Sequence, residues 1–118
     1  MLEEILAEAL DGPKKLFLSI DLDCLEPAYA PGMGTPEPGG MTPMQLMTAV
    51  RGLAAQNEIV GIDLVEVNPI VDQTYLTALV AVRTLGEALT GIAMRKKGIT
   101  DPHYRDPLWK NHGVPLSK

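Results

Sequence analysis

The sequence predicts an α/β fold built on a parallel sheet. Two apolar runs, at 16–20 and 59–67, read as strands, and the stretch between them contains a helix with a marked start. The first run is continuously apolar and the second is rich in β-branched residues, as expected for strands buried on both faces by helices. Strand, crossover helix and strand then form one βαβ unit, which is right-handed when its strands are parallel.

The elements follow in order as helix, strand, loop, helix, strand, helix and tail. Leu2, Ile5, Leu6, Ala9 and Leu10 keep helical spacing, with Glu3 and Glu4 in the favourable first turn and Asp11-Gly12-Pro13 ending the helix. Strand 16–20 comes next. Thr42-Pro43-Met44-Gln45 reads as a capping box with proline at the first helical position, opening a helix whose apolar side is Leu46, Val50, Leu53 and Ala54. After strand 59–67, a helix at 74–97 is apolar nearly all round and is expected to be buried. Arg83 and Glu87 are its only charges before Arg95-Lys96-Lys97. Those cations and Gly98 suit a helix end, where the dipole favours positive charge and glycine takes the left-handed cap. The domain therefore runs over 1–97, and 98–118 form a polar, proline-containing tail in which Tyr104 and Trp109 could dock on a neighbouring surface.

Chemistry concentrates where the first strand ends. Asp21 and Asp23 follow the apolar run, and residues i and i+2 of a strand point to one side, so the two carboxylates converge. Like charges held that close repel unless a proton or cation lies between them, and hard oxygen donors suit Mg²⁺ or Mn²⁺. Ligands of open α/β sheets bind beyond the carboxyl ends of the strands, which is where this pair lies. From Leu22 to Met41 no apolar period appears, and connections longer than about 12–15 residues are usually functional or disordered. Prolines at 27, 31, 36 and 38 and glycines at 32, 34, 39 and 40 indicate a shaped loop. An Asp-x-Asp pair after a strand also occurs as a turn with a helix cap, so the loop adds most of the weight.

The run from Ser19-Ile20-Asp21-Leu22-Asp23 through Glu26-Pro27-Ala28-Tyr29-Ala30-Pro31-Gly32-Met33-Gly34-Thr35-Pro36 to Gly39-Gly40-Met41-Thr42 resembles the signature of the ureohydrolases, the arginase and agmatinase family. Gly61-Ile62-Asp63-Leu64-Val65-Glu66-Val67-Asn68-Pro69, Asp72-Gln73-Thr74 and Thr77-Ala78 match the family's next strand and helix in the same order. The match covers residues 15 to 95 and points to the agmatinase-like branch. It implies the C-terminal part of a three-layer parallel sheet of the arginase-like fold, arranged α-β-loop-α-β-α. It also implies a binuclear manganese hydrolase, with Ni²⁺ as the alternative ion, in which hydroxide attacks a guanidino carbon to release urea and an amine. By this resemblance Asp21 bridges both ions, Asp23 binds one of them, and Glu66 accepts hydrogen bonds from the guanidinium. Thr35 lies near the substrate, though a turn role suits it equally. No catalytic side chain is assigned within this stretch. Two metal ions lower the pKa of water enough to attack a poor electrophile, and a carboxylate matches the guanidinium fork.

Departures from the family pattern bear on these expectations. Family members draw further ligands from a histidine in a Gly-Gly-Asp-His segment and from an Asp-x-His-x-Asp cluster, neither of which occurs in these 118 residues. His103 and His112, the only histidines, lie in the tail and lack ligand spacing. Glu26 replaces the usual aspartate and is expected to shift a hydrogen bond just outside the metal pair. Met33 replaces threonine or alanine and is expected to tune the pocket toward a different guanidino compound. With two strands and both sheet edges open, the chain is expected to be a truncated product or a subunit completed by a missing N-terminal half or a homologous chain, and oligomeric when complete.

Composition narrows the partners. A net charge of −5 and pI near 4.9 provide no basic surface for nucleic acid or an anionic membrane. A single cysteine, Cys24, excludes a disulfide framework, and strand alternation is expected to turn its thiol away from Asp23 into a buried structural position. No basic leader is seen, nothing is expected to approach the ~20 apolar residues of a membrane span, and a cytoplasmic setting is the default. Two other readings remain open: a non-catalytic homologue that binds a full-length relative, and an Asp-x-Asp phosphotransferase of the dehalogenase-like kind, which Cys24-Leu25 and the loop match poorly.

Overall fold

A computed structural model describes residues 4, 7, 8, 11, 12 and 15–99. Glu4, Ala7 and Glu8 are helical, and Asp11 N–H donates to Ala7 O at 3.2 Å. The apolar positions expected of that first helix lie outside the described residues. So does the tail from residue 100 onward, with His103, Tyr104, Trp109 and His112.

Strand β1 spans Lys15–Asp21 and β2 spans Glu58–Val65, and they pair in parallel as a two-stranded sheet. Leu16 stands beside Ile59 and Phe17 beside Gly61, so Val60 is an extra residue and the register shifts there. From Leu18 opposite Ile62 the ladder runs regularly to Asp21 opposite Val65.

The strands were expected to be buried on both faces, and they are covered on one. Leu18 and Ile20 with Ile62 and Leu64 pack into the core, whereas Phe17 is 64% exposed and Val60 and Val65 are also exposed. Both helices lie on the same side, and among the described residues nothing covers the other. Phe17 partly compensates by lying over Gly61, where a Cβ would come within 2.6 Å of its ring.

Helix α1, Pro43–Gln56, starts as its sequence dictates. Thr42 Oγ1 accepts from Gln45 N–H at 3.3 Å and Gln45 Oε1 accepts from Thr42 N–H at 2.9 Å, closing the capping box with Pro43 in the first turn. Leu46, Val50 and Ala54 are buried and Leu53 half-buried. Asn57 alone links α1 to β2, with its side-chain amide on Leu53 O at 3.0 Å.

Helix α2, Leu76–Lys96, leaves one face bare, contrary to the expected full burial. Val80, Ala81, Thr84, Glu87, Ala88, Gly91 and Met94 are buried, but Val82 is 67% and Leu89 65% exposed. Its 21 residues are long and apolar enough, by length and composition, to cross a membrane, which overturns the expectation that nothing approaches a span. Here its buried face packs on α1 as a core helix does. Glu87 is held between Arg51 of α1 and Arg83 one turn back, an arrangement that gives a nearly buried carboxylate two cationic partners. At the far end Gly98 has φ +72°, with Ile99 N–H on Met94 O and Gly98 N–H on Arg95 O, both at 2.9 Å. This is the left-handed cap that Gly98 was expected to form.

The α1–α2 crossing is set by small residues. A Cβ at Gly91 would lie 2.5 Å from Arg51 O and 2.7 Å from Ala54 Cβ, while one at Gly86 would meet nothing within 4 Å. Gly91→Leu is therefore expected to force the helices apart and cost about 1–3 kcal/mol, whereas Gly86→Ala gains up to about 1 kcal/mol from helix propensity. Denaturant unfolding of the two variants checks the opposite signs.

Candidate metal centre

Asp21 is the last residue of β1, and the chain then turns through a short 3₁₀ helix, Leu22–Cys24. Asp21 Oδ1 accepts from Asp23 N–H at 3.1 Å and caps that turn. The two carboxylates thus meet through a turn rather than by alternation along one strand, because Leu22 is drawn fully into the core between them. Cys24 belongs to the same turn. Its half-buried state raises the thiol pKa, and the charges of Asp21 and Asp23 raise it further, so it stays a protonated packing group. The turn, not strand alternation, sets its direction.

Glu66 follows directly on β2 and adopts φ +62°, a left-handed conformation that costs a non-glycine residue of order 1–3 kcal/mol. Since Asp21 pairs with Val65, this conformation presents the Glu66 carboxylate at the same sheet end as the aspartates. Partial desolvation raises the pKa of Asp23, the hydrogen bond to Asp21 and the charges of Asp21 and Glu66 raise it further, and Thr35 opposes the shift.

The long loop is shaped by specific ties. At its neck Leu25 bridges Met41, with Glu26 N–H on Met41 O at 2.9 Å and Met41 N–H on Cys24 O at 2.8 Å. Glu26 Oε2 accepts from Gly39 N–H at 2.7 Å, so the longer side chain in the aspartate position fastens the two ends of the loop. A Cβ at Gly40 would overlap the Leu25–Glu26 peptide, which is why glycine stands there. Thr35 Oγ1 donates to Asp23 Oδ2 at 3.2 Å, and a Cβ at Gly34 would lie 3.1 Å from Glu66 Oε2. Asp21, Asp23, Thr35 and Glu66 thus lie close together at this end of the sheet. Met33 does not join them: it is buried in the core beside Leu25 and Ala30, so its expected part in the pocket is replaced by one in packing.

Two further residues hold this loop, Asp72 and Thr77; both lie in the downstream segment that matches the family, but nothing in the sequence pairs them with Gly32. Asp72, 2% exposed, accepts from Thr77 N–H at 3.3 Å and Ala78 N–H at 3.0 Å in the first turn of α2. Thr77 Oγ1 in turn accepts from Gly32 N–H at 2.7 Å.

Among the described residues no group of three or more histidine, cysteine or acidic side chains could hold a metal ion by itself. Asp21 and Asp23 nevertheless fit a hard divalent ion as part of a larger donor set. They are oxygen donors at the carboxyl end of a parallel strand, and their mutual repulsion is relieved by a cation.

Residues 1–91 match the Arginase family. The chain belongs to the arginase family. This arginase-family chain is 48% identical over 89 residues to mitochondrial agmatinase of Gallus gallus, covering 75% of itself and 25% of that relative. Against agmatinase of Salmonella paratyphi B the identity is 46% over 98 residues, covering 81% of the chain and 31% of the relative. Its fold resembles the crystal structure of a hypothetical agmatinase from Burkholderia thailandensis, with a TM-score of 0.71 and 41% identity over 82% of this chain and 30% of that one. Formimidoylglutamase from Bacillus subtilis superposes with a TM-score of 0.75 at 35% identity, covering 79% of this chain and 29% of that one. The arginase-like α/β fold is thereby shown, and the chain spans about a quarter to a third of the length of these relatives.

The raised pKa of Asp23 has a definite sign. The folded chain binds that proton more tightly than the unfolded one, so this group adds stability as pH falls through its folded value, and the gain is complete below the unfolded value of 3.8. Asp23→Asn removes the repulsion and is expected to melt higher than the parent at pH 7. The advantage should disappear below about pH 4, as read by thermal unfolding across pH.

Proposed function

We propose that this chain is the metal- and guanidinium-binding part of an agmatinase-like ureohydrolase, a hydrolase of linear amidines. The observation that carries the proposal is the convergence of Asp21, Asp23 and Glu66 at one sheet end, with Thr35 on Asp23 and Gly34 against Glu66.

Asp21 and Asp23 would hold the ions, two Mn²⁺ in the complete site, with the remaining donors coming from polypeptide outside these 118 residues. When bound, the ions acidify water so that hydroxide is available near neutral pH. The chain's own residues bind and orient. Thr35 fixes the direction of Asp23 by donating to Oδ2 of its carboxylate. Glu66 offers a planar acceptor that matches a guanidinium, and its carboxylate lies beside Gly34 of the loop. The half-buried, protonated thiol of Cys24 is a packing group. Cleavage breaks a carbon–nitrogen bond of the amidine carbon, whose amine leaves with a proton from water.

The supporting polypeptide would also cover the open face bearing Phe17, Val60 and Val65, which accounts for apolar exposure on an otherwise ordinary sheet. A purely binding homologue would use that same face without turnover, and the two readings separate on product formation.

Co-expression with a ureohydrolase portion carrying the histidine and aspartate ligands is expected to release urea from a guanidino substrate and to bind Mn²⁺ tightly. Neither should occur with the chain alone, so brisk urea release by the chain alone would refute the dependence on added ligands. Asp21→Ala should abolish Mn²⁺ uptake by the assembly. Glu66→Gln should leave the manganese content unchanged and raise KM about tenfold or more, the size expected for losing one charge-assisted hydrogen bond. Manganese binding with no urea release would favour the binding homologue.

A further inference from the structure

We propose that Asp72 and Thr77 are positioning residues, clipping the loop at Gly32 to the first turn of α2 and so holding Gly34 and Thr35 against Glu66 and Asp23. The choice of a guanidino ligand rests on the preceding section, whereas the clip rests on contacts within the chain.

Both polar groups of Gly32 are used. Its N–H donates to Thr77 Oγ1 at 2.7 Å, and its carbonyl accepts from Asn68 N–H at 2.8 Å. Thr77 is completely buried, so its hydroxyl has no water to fall back on. Asp72 braces this arrangement from the side. Its carboxylate takes the Thr77 and Ala78 amides at the positive end of α2, and its own N–H donates to Asn68 O at 3.1 Å. Gly32 fits against it without a gap, since any Cβ there would overlap Asp72 Cβ and come within 2.8 Å of its Cα.

The clip closes a small ring. Asn68 is two residues beyond Glu66, and Gly34 is two residues beyond Gly32. Gly34 then returns to Glu66, where a Cβ would stand 3.1 Å from Oε2. One peptide further on, Thr35 reaches Asp23. Releasing Gly32 from Thr77 would free the segment that sets both contacts, while Asp21 and Asp23, carried by β1 and its turn, would remain in place.

The test is amide hydrogen exchange on the full chain, with Thr77→Val to remove the acceptor at nearly constant shape and Thr77→Ser to restore it. Thr77→Val is expected to speed exchange at residues 32–35 about tenfold or more, with residues 84–94 of α2 unchanged, and Thr77→Ser to behave as the parent. Should Thr77→Val fail to fold, Asp72→Asn is expected to give the same loop-selective acceleration. In the completed assembly Thr77→Val should raise KM about tenfold, with kcat and manganese content within about twofold of the parent. Unchanged exchange at 32–35, or loop and helix accelerating together, would overturn the clip. Selective loosening with no change in KM would overturn the positioning role. An assembly whose parent form releases no urea sinks the functional reading instead, and exchange alone then decides the clip.

Discussion

Parallel pairing that ends with Asp21 beside Val65 is the constraint from which the site follows. It delivers two chain segments, each leaving its strand at the same level, to one end of the sheet. Asp21 and Asp23 emerge on one and Glu66 on the other, separated by the width of a strand pair, about 4.8 Å. That register depends on the crossover helix, which must lie close enough to α2 for Gly91 to touch the Arg51 carbonyl. The ion pair between Arg51 of α1 and the buried Glu87 of α2 ties the same crossing electrostatically. Helix packing on one side of the sheet is thus what aligns the carboxylates at its end.

The site carries local costs that the surrounding fold must offset. Asp23 is held near two other carboxylates, and Glu66 takes a backbone conformation better suited to glycine. Both are costs concentrated where a ligand of positive charge would bind, and that is where strained and frustrated groups tend to be retained. The long loop, by contrast, is tied down by the Leu25–Met41 bridge, the Glu26–Gly39 contact and the Gly32–Thr77 bond.

Much of this was legible in the sequence because it is written in short-range chemistry. The Thr42–Gln45 box, the Gly98 cap and both strands depend on neighbours a few residues away, and each stands where its residues place it. The family signature likewise located Asp21, Asp23, Thr35 and Glu66. What escaped depends on partners distant in the chain. The bond between Gly32 and Thr77 joins residues 45 apart, and Glu87 meets Arg51 across 36. Met33 was assigned to the pocket because it stands where the family pattern has threonine or alanine, yet its side chain is buried in the core cluster with Leu22 and Leu25, a placement that depends on how the whole loop folds back. The bare faces of β1, β2 and α2 could not be foreseen from apolar content alone, since a run of hydrophobic residues does not state which polypeptide will cover it.

Asp72 serves the helix start and the loop anchor with one carboxylate, and this ties the timing of the two. During synthesis the aspartate pair leaves the ribosome more than fifty residues before Thr77, so the loop must wait, unlatched, until the first turn of α2 exists to receive it. Docking of Gly34 and Thr35 onto the carboxylates is therefore the last step in shaping the centre, completed only once the first turn of α2 has begun to wind.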